Sequence, residues 1–496
     1  MHLTKLLKND LMKTDFSRIS VLATALMLAC SCNSWKEAAN ASDELPPVFP
    51  DYIDVTVPSN IAPLNFMVED ADRIQASLSV DGGDEVKVCG KDGIIRIPLK
   101  KWKNLLSLAE GNKISITVSV WNEDKPDGVS YKAFDINVAP DSMDGWLAYR
   151  LIEPGYEGWR QLGIYQRDVT NFDEFEIVTN HDAGRTCVNC HNFPAYSSES
   201  MMFHARGAAG GTILYDKGKV IKIDFKSIGL KKNTTYPSWH PGGRFIAFSA
   251  NTTHQIFFTE GHQGVEVFDT ASDLTIYDIE TGEALTDPRF STEDALESFP
   301  SWSPDGRYLY FVSHKAHTTP VVFTPDMQYS LLRVPFDCST RTFGEKVDTL
   351  YNAPERGGSV SYPRISADGK YLLYTLSDYG TFPIWHDEAD LHMMDLTTMK
   401  DVDISIWNDD ETADSFHNWS SNGRWAVFGS RRFDGRYTRL MIAYLDEDGR
   451  PHKPFLLPQE DPRHNIWRLR SYNVPEFIKE KVSLPKEAEK IFCPEN

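Results

Sequence analysis

The stretch FPSWSPDGRYLYF, residues 299–311, contains an apolar strand, a tight Pro-Asp-Gly turn and a second apolar strand. Related phrases begin at residues 236, 362 and 416 and read YPSWHPGGRFIAF, YPRISADGKYLLY and FHNWSSNGRWAVF. From 236 to 299, from 299 to 362 and from 362 to 416, the spacings are 63, 63 and 54 residues, which is typical of a repeated supersecondary unit. Each copy predicts a β-hairpin, because Gly-Gly, Asp-Gly and Asn-Gly are favoured hairpin turns.

Further strand-like text follows these hairpins, as in LTIYDI at residues 274–279. Units of about four strands, repeated radially, form a β-propeller. The phrases resemble the Trp-Ser-Pro-Asp-Gly-Arg repeats of the TolB-type, WD40-like propellers, closely in the copy at residue 299 and with substitutions in the others. The resemblance covers residues 235–450. Weaker repeats between 145 and 224 extend the predicted propeller to residues 141–475, with about six blades expected and seven as the alternative.

The region before the propeller contains short runs that alternate apolar and polar residues. Examples are DVTV at 54–57, IQASLSV at 74–80 and ISITVSV at 114–120, with Gly- and Asp-rich turns between the runs. This pattern predicts antiparallel strands and a small β-sandwich-like domain over residues 48–140, with one added helix at 99–108. The predicted fold class is therefore all-β, and residues 476–496 are expected to form a C-terminal tail.

The sequence CVNCH, which begins at residue 187, has two cysteines separated by two residues and followed at once by a histidine. This is the spacing of c-type haem attachment. Cys187 and Cys190 would form the thioethers, His191 would be the proximal iron ligand, and one covalent haem c is the expected cofactor. A structural disulfide, a thioredoxin-like pair and half of a zinc site are the competing interpretations. A thioredoxin motif needs a βαβ setting that this region lacks, and zinc would need two more ligands, for which His181 and His204 are the candidates.

The haem motif falls in a predicted insertion, residues 180–210, between the weak and the strong repeats. An insertion of this length is too short to enclose a porphyrin, so the haem is expected to lean on the propeller or the N-terminal domain. Residues 198–207, SESMMFHARG, predict a short helix with Met201 and His204 on one face. His204 is the favoured distal ligand and Met201 or Met202 the alternatives, although core packing is the ordinary role of such methionines.

Loops on one face of the predicted propeller are expected to bring several polar side chains together, and one of the histidines is a further candidate ligand. Each of these residues is individually typical of an ordinary surface loop. Arg206 is a candidate partner for a haem propionate, with an exposed arginine as the simpler interpretation. The loop residues are His254, His314, His317, Asp378, Arg431 and Arg432.

The N-terminus predicts export. Basic residues precede the apolar run VLATALMLA at 21–29, which is too short to span a bilayer and has the layout of a secretory signal. The run ends at Ala-Cys-Ser-Cys, which resembles the lipobox of bacterial lipoproteins, so residues 1–30 are predicted to be a lipoprotein signal peptide. Cys30 is the expected lipidation site and Cys32 the alternative, and an ordinary cleaved signal is the competing interpretation. Residues 31–47 are expected to be a polar tether, which predicts a protein attached to the membrane by lipid alone.

Composition and missing motifs exclude several classes of function. The formal net charge of −20 argues against nucleic acid as a partner. The sequence lacks the Gly-x-Ser-x-Gly nucleophile elbow of propeller-linked peptidases, and the repeats lack the Ser-x-Asp-x-Gly box of sialidases, since SPDG at 303–306 is one residue too tight. Cys89, Cys338 and Cys493 are an odd, scattered set that does not form a disulfide framework.

The leading hypothesis is a membrane-anchored, extracytoplasmic c-type cytochrome that exchanges electrons with a redox partner protein. The chain resembles lipoproteins of anaerobic gut-type bacteria that combine this propeller with the Cys-x-x-Cys-His motif. The resemblance implies a lipoprotein of a Gram-negative bacterium, on the outer membrane or the periplasmic face. A propeller scaffold that binds a protein or another cell-envelope partner is the alternative, and a haem catalyst with an open iron is the third hypothesis. An electron carrier or a binding protein is favoured over a catalyst.

Overall fold

The structure, a computed structural model, describes residues 36–153, 161–182, 187–206, 210–230, 233–316 and 326–485. The predicted signal peptide, the lipidation candidates Cys30 and Cys32, and the residues His317 and Cys493 lie outside these ranges. Strands dominate the described chain, which agrees with the predicted all-β class. None of its helices has the length and apolar content needed to cross a bilayer.

The N-terminal unit consists of two sheets and one helix that share an apolar core. The larger sheet has seven strands in the path β1-β9-β8-β10-β3, with β5 and β6 attached through β8, and the smaller has the order β2-β4-β7. Its elements are β1 (Asn40–Ala41), β2 (Val48–Phe49), β3 (Thr56–Pro58), β4 (Phe66–Val68), β5 (Arg73–Ser79), β6 (Val86–Lys91), β7 (Ile94–Ile95), α1 (Leu99–Leu108), β8 (Lys113–Trp121), β9 (Val129–Ser130) and β10 (Phe134–Ala139).

Helix α1 confirms the prediction for residues 99–108. It buries Trp102, Leu105 and Leu106, whose spacing places them on one face of a helix. The predicted tether, in contrast, is partly wrong. Within it, β1 pairs in parallel with β9, and the amide of Ala39 donates to the carbonyl oxygen of Asp127 at 3.0 Å. Main-chain hydrogen bonds therefore fix this segment to the sheet in spite of its polar sequence.

The rest of the chain forms a series of antiparallel sheets, numbered here as sheets 1 to 6 in chain order. Sheet 1 combines the C-terminal strand β35 with β11, β12 and β13. Sheets 3 and 4 are linked by a single parallel bridge between β20 and β22. The strands of the first three sheets are β11 (Trp146–Ile152), β12 (Gly163–Asp168), β13 (Glu174–Thr179) and β35 (Ser471–Ile478) in sheet 1, β14 (Val188–Asn192), β15 (Ser200–Ala205), β16 (Gly211–Asp216) and β17 (Lys219–Ile223) in sheet 2, and β18 (Asn233–Trp239), β19 (Phe245–Phe257), β20 (Val265–Asp278) and β21 (Glu283–Leu285) in sheet 3.

The remaining three sheets follow the same plan. Their strands are β22 (Ala295–Trp302), β23 (Tyr308–Lys315), β24 (Ser330–Asp337), β25 (Thr342–Phe343) and β26 (Asp348–Tyr351) in sheet 4, β27 (Ser359–Ile365), β28 (Tyr371–Ser377), β29 (Asp390–Asp395) and β30 (Lys400–Val402) in sheet 5, and β31 (Asp414–Trp419), β32 (Trp425–Ser430), β33 (Arg439–Tyr444) and β34 (Phe455–Leu456) in sheet 6. Two short helices, α2 (Ala353–Arg356) and α3 (His464–Trp467), lie between strands.

The innermost strands of these sheets form a closed ring. β14 contacts β18, β18 contacts β22, β22 contacts β27, β27 contacts β31, and β31 contacts β35. The ring closes where the Asn192 side chain of β14 donates to Glu476 Oε2 of β35 at 3.1 Å. Antiparallel sheets arranged radially around a shared axis form a β-propeller, as the repeated phrase predicts.

The turn inside three of the four repeats is held by one recurring set of hydrogen bonds. The hydroxyl of Ser303 lies 2.6 Å from Asp305 Oδ1 and accepts from the Tyr308 amide at 3.0 Å. Ser366 and Ser420 make the same contacts in their own sheets. The Ser-x-Asp-Gly and Ser-x-Asn-Gly text of the repeats therefore encodes a defined hairpin turn.

Three predicted boundaries need correction. The haem motif lies on the innermost strand of sheet 2, so residues 180–210 are not an insertion. Residues 200–205, predicted as a helix, form β15, because β14 and β16 offer backbone partners on both sides. The predicted C-terminal tail begins too early, since β35 continues to Ile478.

Asn65 joins the N-terminal unit to the propeller. Its buried amide donates to the Glu460 carbonyl oxygen at 2.9 Å and accepts from the Ile97 amide at 2.9 Å. We expect Asn65→Ala to lower the free energy of unfolding by about 2 kcal/mol, because buried backbone groups lose their partners. Urea denaturation measures the loss. Asn122→Ala is the control, because its amide also donates to one backbone carbonyl oxygen, that of Asp70, and accepts from one backbone amide, that of Lys125, but it is not buried; an equal loss in both variants would contradict this role.

Candidate functional site

The haem motif occupies the same position in sheet 2 that the repeated phrase occupies in the other sheets. Every innermost strand shifts register once, next to a residue with φ between 46° and 52°. In four sheets this residue is the aromatic that begins the phrase, in sheet 1 it is Val474, and in sheet 2 it is Cys190. Both positions carry a weak copy of the repeated phrase in the sequence: CHNF at 190–193 matches FHNW at 416–419, and VPEF at 474–477 matches the YPSW copy.

These bulged residues converge on the axis of the ring. The ring centroids of Tyr236 and Phe299 are 4.1 Å apart, those of Phe299 and Tyr362 are 4.3 Å apart, and those of Tyr362 and Phe416 are 4.9 Å apart. A bulge turns a side chain out of its regular alternation, which explains how strands of different sheets place side chains at one point. Cys190 therefore faces the axis beside a row of aromatic rings.

A cavity of about 810 Å³ opens at this axis. This volume lies within the ~300–1,000 Å³ typical of cofactor and ligand sites. The motif residues Cys187, Cys190 and His191 line it, together with Tyr236, Phe299, Tyr362 and Phe416. The sequence motif and the repeats thus meet in one site, which sequence reasoning did not predict.

Neither ring nitrogen of His191 makes a hydrogen bond of normal geometry with the described residues, although its side chain is 1% exposed, and the Val474 backbone offers only a weak contact. Its Nε2 lies 3.8 Å from Glu476 Oε1, beyond hydrogen-bonding distance. Burial, assisted by the nearby Arg150, lowers the pKa of His191 to about 3, so the imidazole is neutral at physiological pH. A neutral imidazole with a free ring nitrogen is the form that binds a metal ion.

His417 provides an internal comparison, because it occupies the equivalent position in sheet 6. Its Nε2 lies 3.0 Å from the Leu373 carbonyl oxygen and its Nδ1 lies 3.5 Å from Thr375 Oγ1. The same position can therefore hold a histidine whose hydrogen bonds are satisfied within the protein. The ring of His191 is therefore less well satisfied than that of His417, although both side chains are buried.

Both cysteines of the motif are free thiols. Arg150 Nη2 lies 3.2 Å from the sulfur of the buried Cys187. Burial raises the pKa of Cys190 against the opposing charge of Arg206, so this thiol is protonated at neutral pH. The site thus presents two thiols that form no disulfide, and a neutral imidazole, to one cavity.

A long hairpin forms the roof of this cavity. β19 and β20 have 13 and 14 residues, and they continue beyond the main body of sheet 3. From this extension Thr253, His254, Gln255, Phe257, Val265 and Val267 line the cavity. The segment 252–270 is called the roof hairpin below.

The tip of the roof hairpin is attached to a loop of sheet 5. Glu266 Oε2 lies 2.7 Å from His386 Nε2, and both side chains are at most 1% exposed. Gln263 Nε2 donates to the same carboxylate at 2.7 Å. Gly264 permits the close approach, since a Cβ at this position would lie 2.9 Å from Trp385. This contact holds the roof hairpin against sheet 5.

The attachment should depend on pH. Burial alone would lower the pKa of His386, but its hydrogen bonds to Glu266 and Glu388 outweigh burial and raise it from 6.5 to about 9. The stabilisation is therefore complete below about pH 6.5 and is lost as the pH rises through about 9. We expect hydrogen exchange of residues 252–270, corrected for intrinsic rates, to accelerate across this range.

His386→Gln should abolish that pH dependence. His262→Gln is the matched control at the same tip. Its Nδ1 lies 3.5 Å from Asp387 Oδ2, but the His262 side chain is 84% exposed, so solvent screens this contact and the variant should keep the wild-type profile. An unchanged profile in His386→Gln would show that another group controls the hairpin.

The predicted distal ligands do not reach the cavity. In strand β15, Met201 and Met202 face opposite sides and each is 0% exposed, within separate apolar clusters. His204 Nδ1 lies 2.8 Å from Thr212 Oγ1, and its ring lies 5.8 Å from that of Phe248. The reason is that residues 200–205 form a strand and not the expected helix. Side chains alternate between the two faces of a strand, so Met201 and His204, three residues apart, do not share a face. The two methionines fill the core, which was the simpler interpretation.

The other candidate residues divide between the cavity and its surroundings. His254, Arg206 and Arg431 line the cavity. His314 contacts the Gln328 carbonyl oxygen, and Arg432 is paired with Asp414. The zinc interpretation gains no support, because the described residues contain no group of three or more potential metal ligands.

No protein-family model and no curated protein matches this sequence. Several solved structures show a limited likeness. A puromycin hydrolase is 14% identical with a TM-score of 0.35, over 63% of this chain and 45% of its own. The periplasmic gluconolactonase of Pseudomonas aeruginosa is 14% identical with a TM-score of 0.27, over 62% of this chain and 68% of its own. The oligogalacturonate lyase of Vibrio parahaemolyticus is 10% identical with a TM-score of 0.32, over 77% of this chain and 100% of its own.

This chain thus spans less than half the length of the puromycin hydrolase. The propeller is identified by the closed ring of innermost strands in this chain itself.

Proposed function

We propose that this chain is a c-type haem protein in which Cys187 and Cys190 hold one haem covalently in the axial cavity and His191 binds its iron. The observation that carries the proposal is the unpartnered, neutral imidazole of His191 in a cavity that also contains two free thiols. The satisfied His417 at the equivalent position supports it, since the fold does not require an unpaired histidine there.

The residues of the cavity fit such a group. The thiols supply the attachment points, and the aromatic row from Tyr236 to Phe416 supplies an apolar wall. Arg150, beside the Cys187 sulfur and His191, provides positive charge that favours an anionic ligand. A bound haem would supply one-electron chemistry, with a potential set by its axial ligands and by the polarity of the cavity.

The proposal also covers the location, the fold and the partner of the protein. The protein is proposed to be an exported lipoprotein anchored through Cys30 or Cys32, with a sandwich-like N-terminal domain and a six-bladed propeller of the TolB type. Its partner is proposed to be a redox protein of the cell envelope. The strongly acidic composition argues for a partner surface of opposite charge.

Expression with haem-maturation machinery tests the proposal. We expect a pyridine-haemochrome spectrum with one haem per chain that survives denaturation. Cys187→Ala/Cys190→Ala should lose the covalent pigment, because both attachment points are gone. Cys338→Ala is the control for removing a thiol outside the cavity. A colourless wild-type protein with a Cys187–Cys190 disulfide would reject haem attachment and leave the scaffold hypothesis.

His254 is proposed as the distal ligand in place of the residues predicted from sequence. Among the described residues, the histidines that line the cavity are His191 and His254. The ring of His254 is stacked on that of Phe268, with 5.7 Å between the ring centroids. Two histidine ligands favour electron transfer over small-molecule activation, because no iron position stays open.

We therefore expect His254→Ala to convert a low-spin absorption spectrum into a high-spin one and to allow carbon monoxide to bind. His314→Ala is the control, because this side chain is bound to the Gln328 carbonyl oxygen. A low-spin spectrum that persists in His254→Ala would assign the distal position to another group.

A further inference from the structure

Positive charge is concentrated around the cavity of an otherwise acidic protein. Arg150, Arg206, Arg364 and Arg431 line the cavity, whereas Glu153 is the acidic residue among its described lining. None of the four arginines forms an ion pair with a carboxylate of the described residues. The whole chain has a formal net charge of −20, so the excess of positive charge around the cavity is opposite in sign to the charge of the protein as a whole.

Arg431 is the most deeply buried of the four. It is 3% exposed, and its guanidinium carbon lies 3.3 Å from the centroid of the Trp385 ring. Its Nη1 makes one long contact of 3.4 Å with the Gly435 carbonyl oxygen, and its Nε has no hydrogen-bond partner. A buried guanidinium that is incompletely hydrogen-bonded destabilises the protein, so its presence needs a reason.

Two nearby arginines show how the same fold satisfies a buried guanidinium. Arg439, which is 1% exposed, donates to the backbone carbonyl oxygens of Asn465 and Arg468 at 2.8 Å. Arg432 is paired with the carboxylate of Asp414 at 3.1 Å. Arg431 differs from both, because its guanidinium has only the long contact with the Gly435 carbonyl oxygen and its side chain lines the cavity.

We propose that Arg431, supported by the Trp385 ring, is the residue that binds a carboxylate of the ligand in the axial cavity. A planar guanidinium on an aromatic face suits a planar carboxylate. If the proposed haem function holds, this carboxylate is a haem propionate, and otherwise it belongs to a free organic acid. Arg150 and Arg364 add further positive charge to the same cavity.

The full chain expressed without haem maturation allows a direct test. The probes are protoporphyrin IX, which has two carboxylates, and its dimethyl ester, which has none. We expect the diacid to bind wild type at least about tenfold more tightly than the ester in a fluorescence titration. Arg431→Gln should remove most of this preference and leave ester binding unchanged. Arg436→Gln, in the same loop but exposed and outside the cavity lining, is the matched control and should bind like wild type.

Stability provides a second readout that a merely structural arginine would not produce. Without ligand, Arg431→Gln should melt at the wild-type temperature or above it, because the variant no longer buries an uncompensated charge. If Arg431→Gln does not fold, Arg431→Lys should fold and still bind the diacid more weakly than wild type, because a lysine cannot form a planar bidentate contact. Equal binding of diacid and ester by wild type, or an unchanged preference in Arg431→Gln, would overturn the proposal.

A third arm separates this proposal from the proposed haem function. If the cavity takes a small organic acid, neither porphyrin should bind. In that case benzoate should raise the melting temperature of wild type but not that of Arg431→Gln. That result would support the carboxylate site and count against haem. Covalent haem in the matured protein, together with an unchanged diacid preference in Arg431→Gln, would support haem and reject Arg431 as the carboxylate-binding residue.

Discussion

Each innermost strand of the propeller contains one residue in the left-handed region of backbone space, next to a shift of register. In five of the sheets this residue is Val474, Tyr236, Phe299, Tyr362 or Phe416, and in sheet 2 it is Cys190. Such a conformation is uncommon for residues with a Cβ and costs roughly 1–2 kcal/mol at each position. The sheets maintain it because the strand pairs normally on both sides of the bulge. The consequence is a shared point on the axis, and the chemistry of the site depends on which side chain each strand places there.

The same geometry explains why the motif lies in a cavity. A cysteine is much smaller than the tyrosine or phenylalanine at the corresponding position of four other sheets. Where Cys190 and Val474 replace an aromatic ring, the row is incomplete and space remains beside it. Free thiols, a neutral imidazole and unpaired arginines all border this space. Groups of this kind destabilise an empty site, and their coincidence in one cavity is typical of a binding site optimised for its ligand at the expense of stability.

The fold was largely predictable from sequence because the repeated phrase combines turn chemistry with period-two apolar strands. The site was predictable only in part. Cys187, Cys190 and His191 were identified by spacing, which is a local property. The positions of Met201, Met202 and His204 were not predictable, because a run such as SMMFHA gives no strong period and becomes a strand only through pairing with β14 and β16. Contacts between sheets far apart in sequence, such as Arg431 on Trp385, leave no local signal.

The roof hairpin connects these features, because one element both covers the cavity and supplies His254 to its lining. Its tip is attached through the buried Glu266–His386 pair, which exchanges hydrophobic anchoring for a charged contact. A buried ion pair is strongly destabilised when either partner is neutralised, so this attachment has two distinct states. The roof hairpin therefore links the cover of the axial cavity to the position of His254. Loss of this attachment would therefore move one wall of the cavity, while the innermost strands of the ring would keep their own contacts.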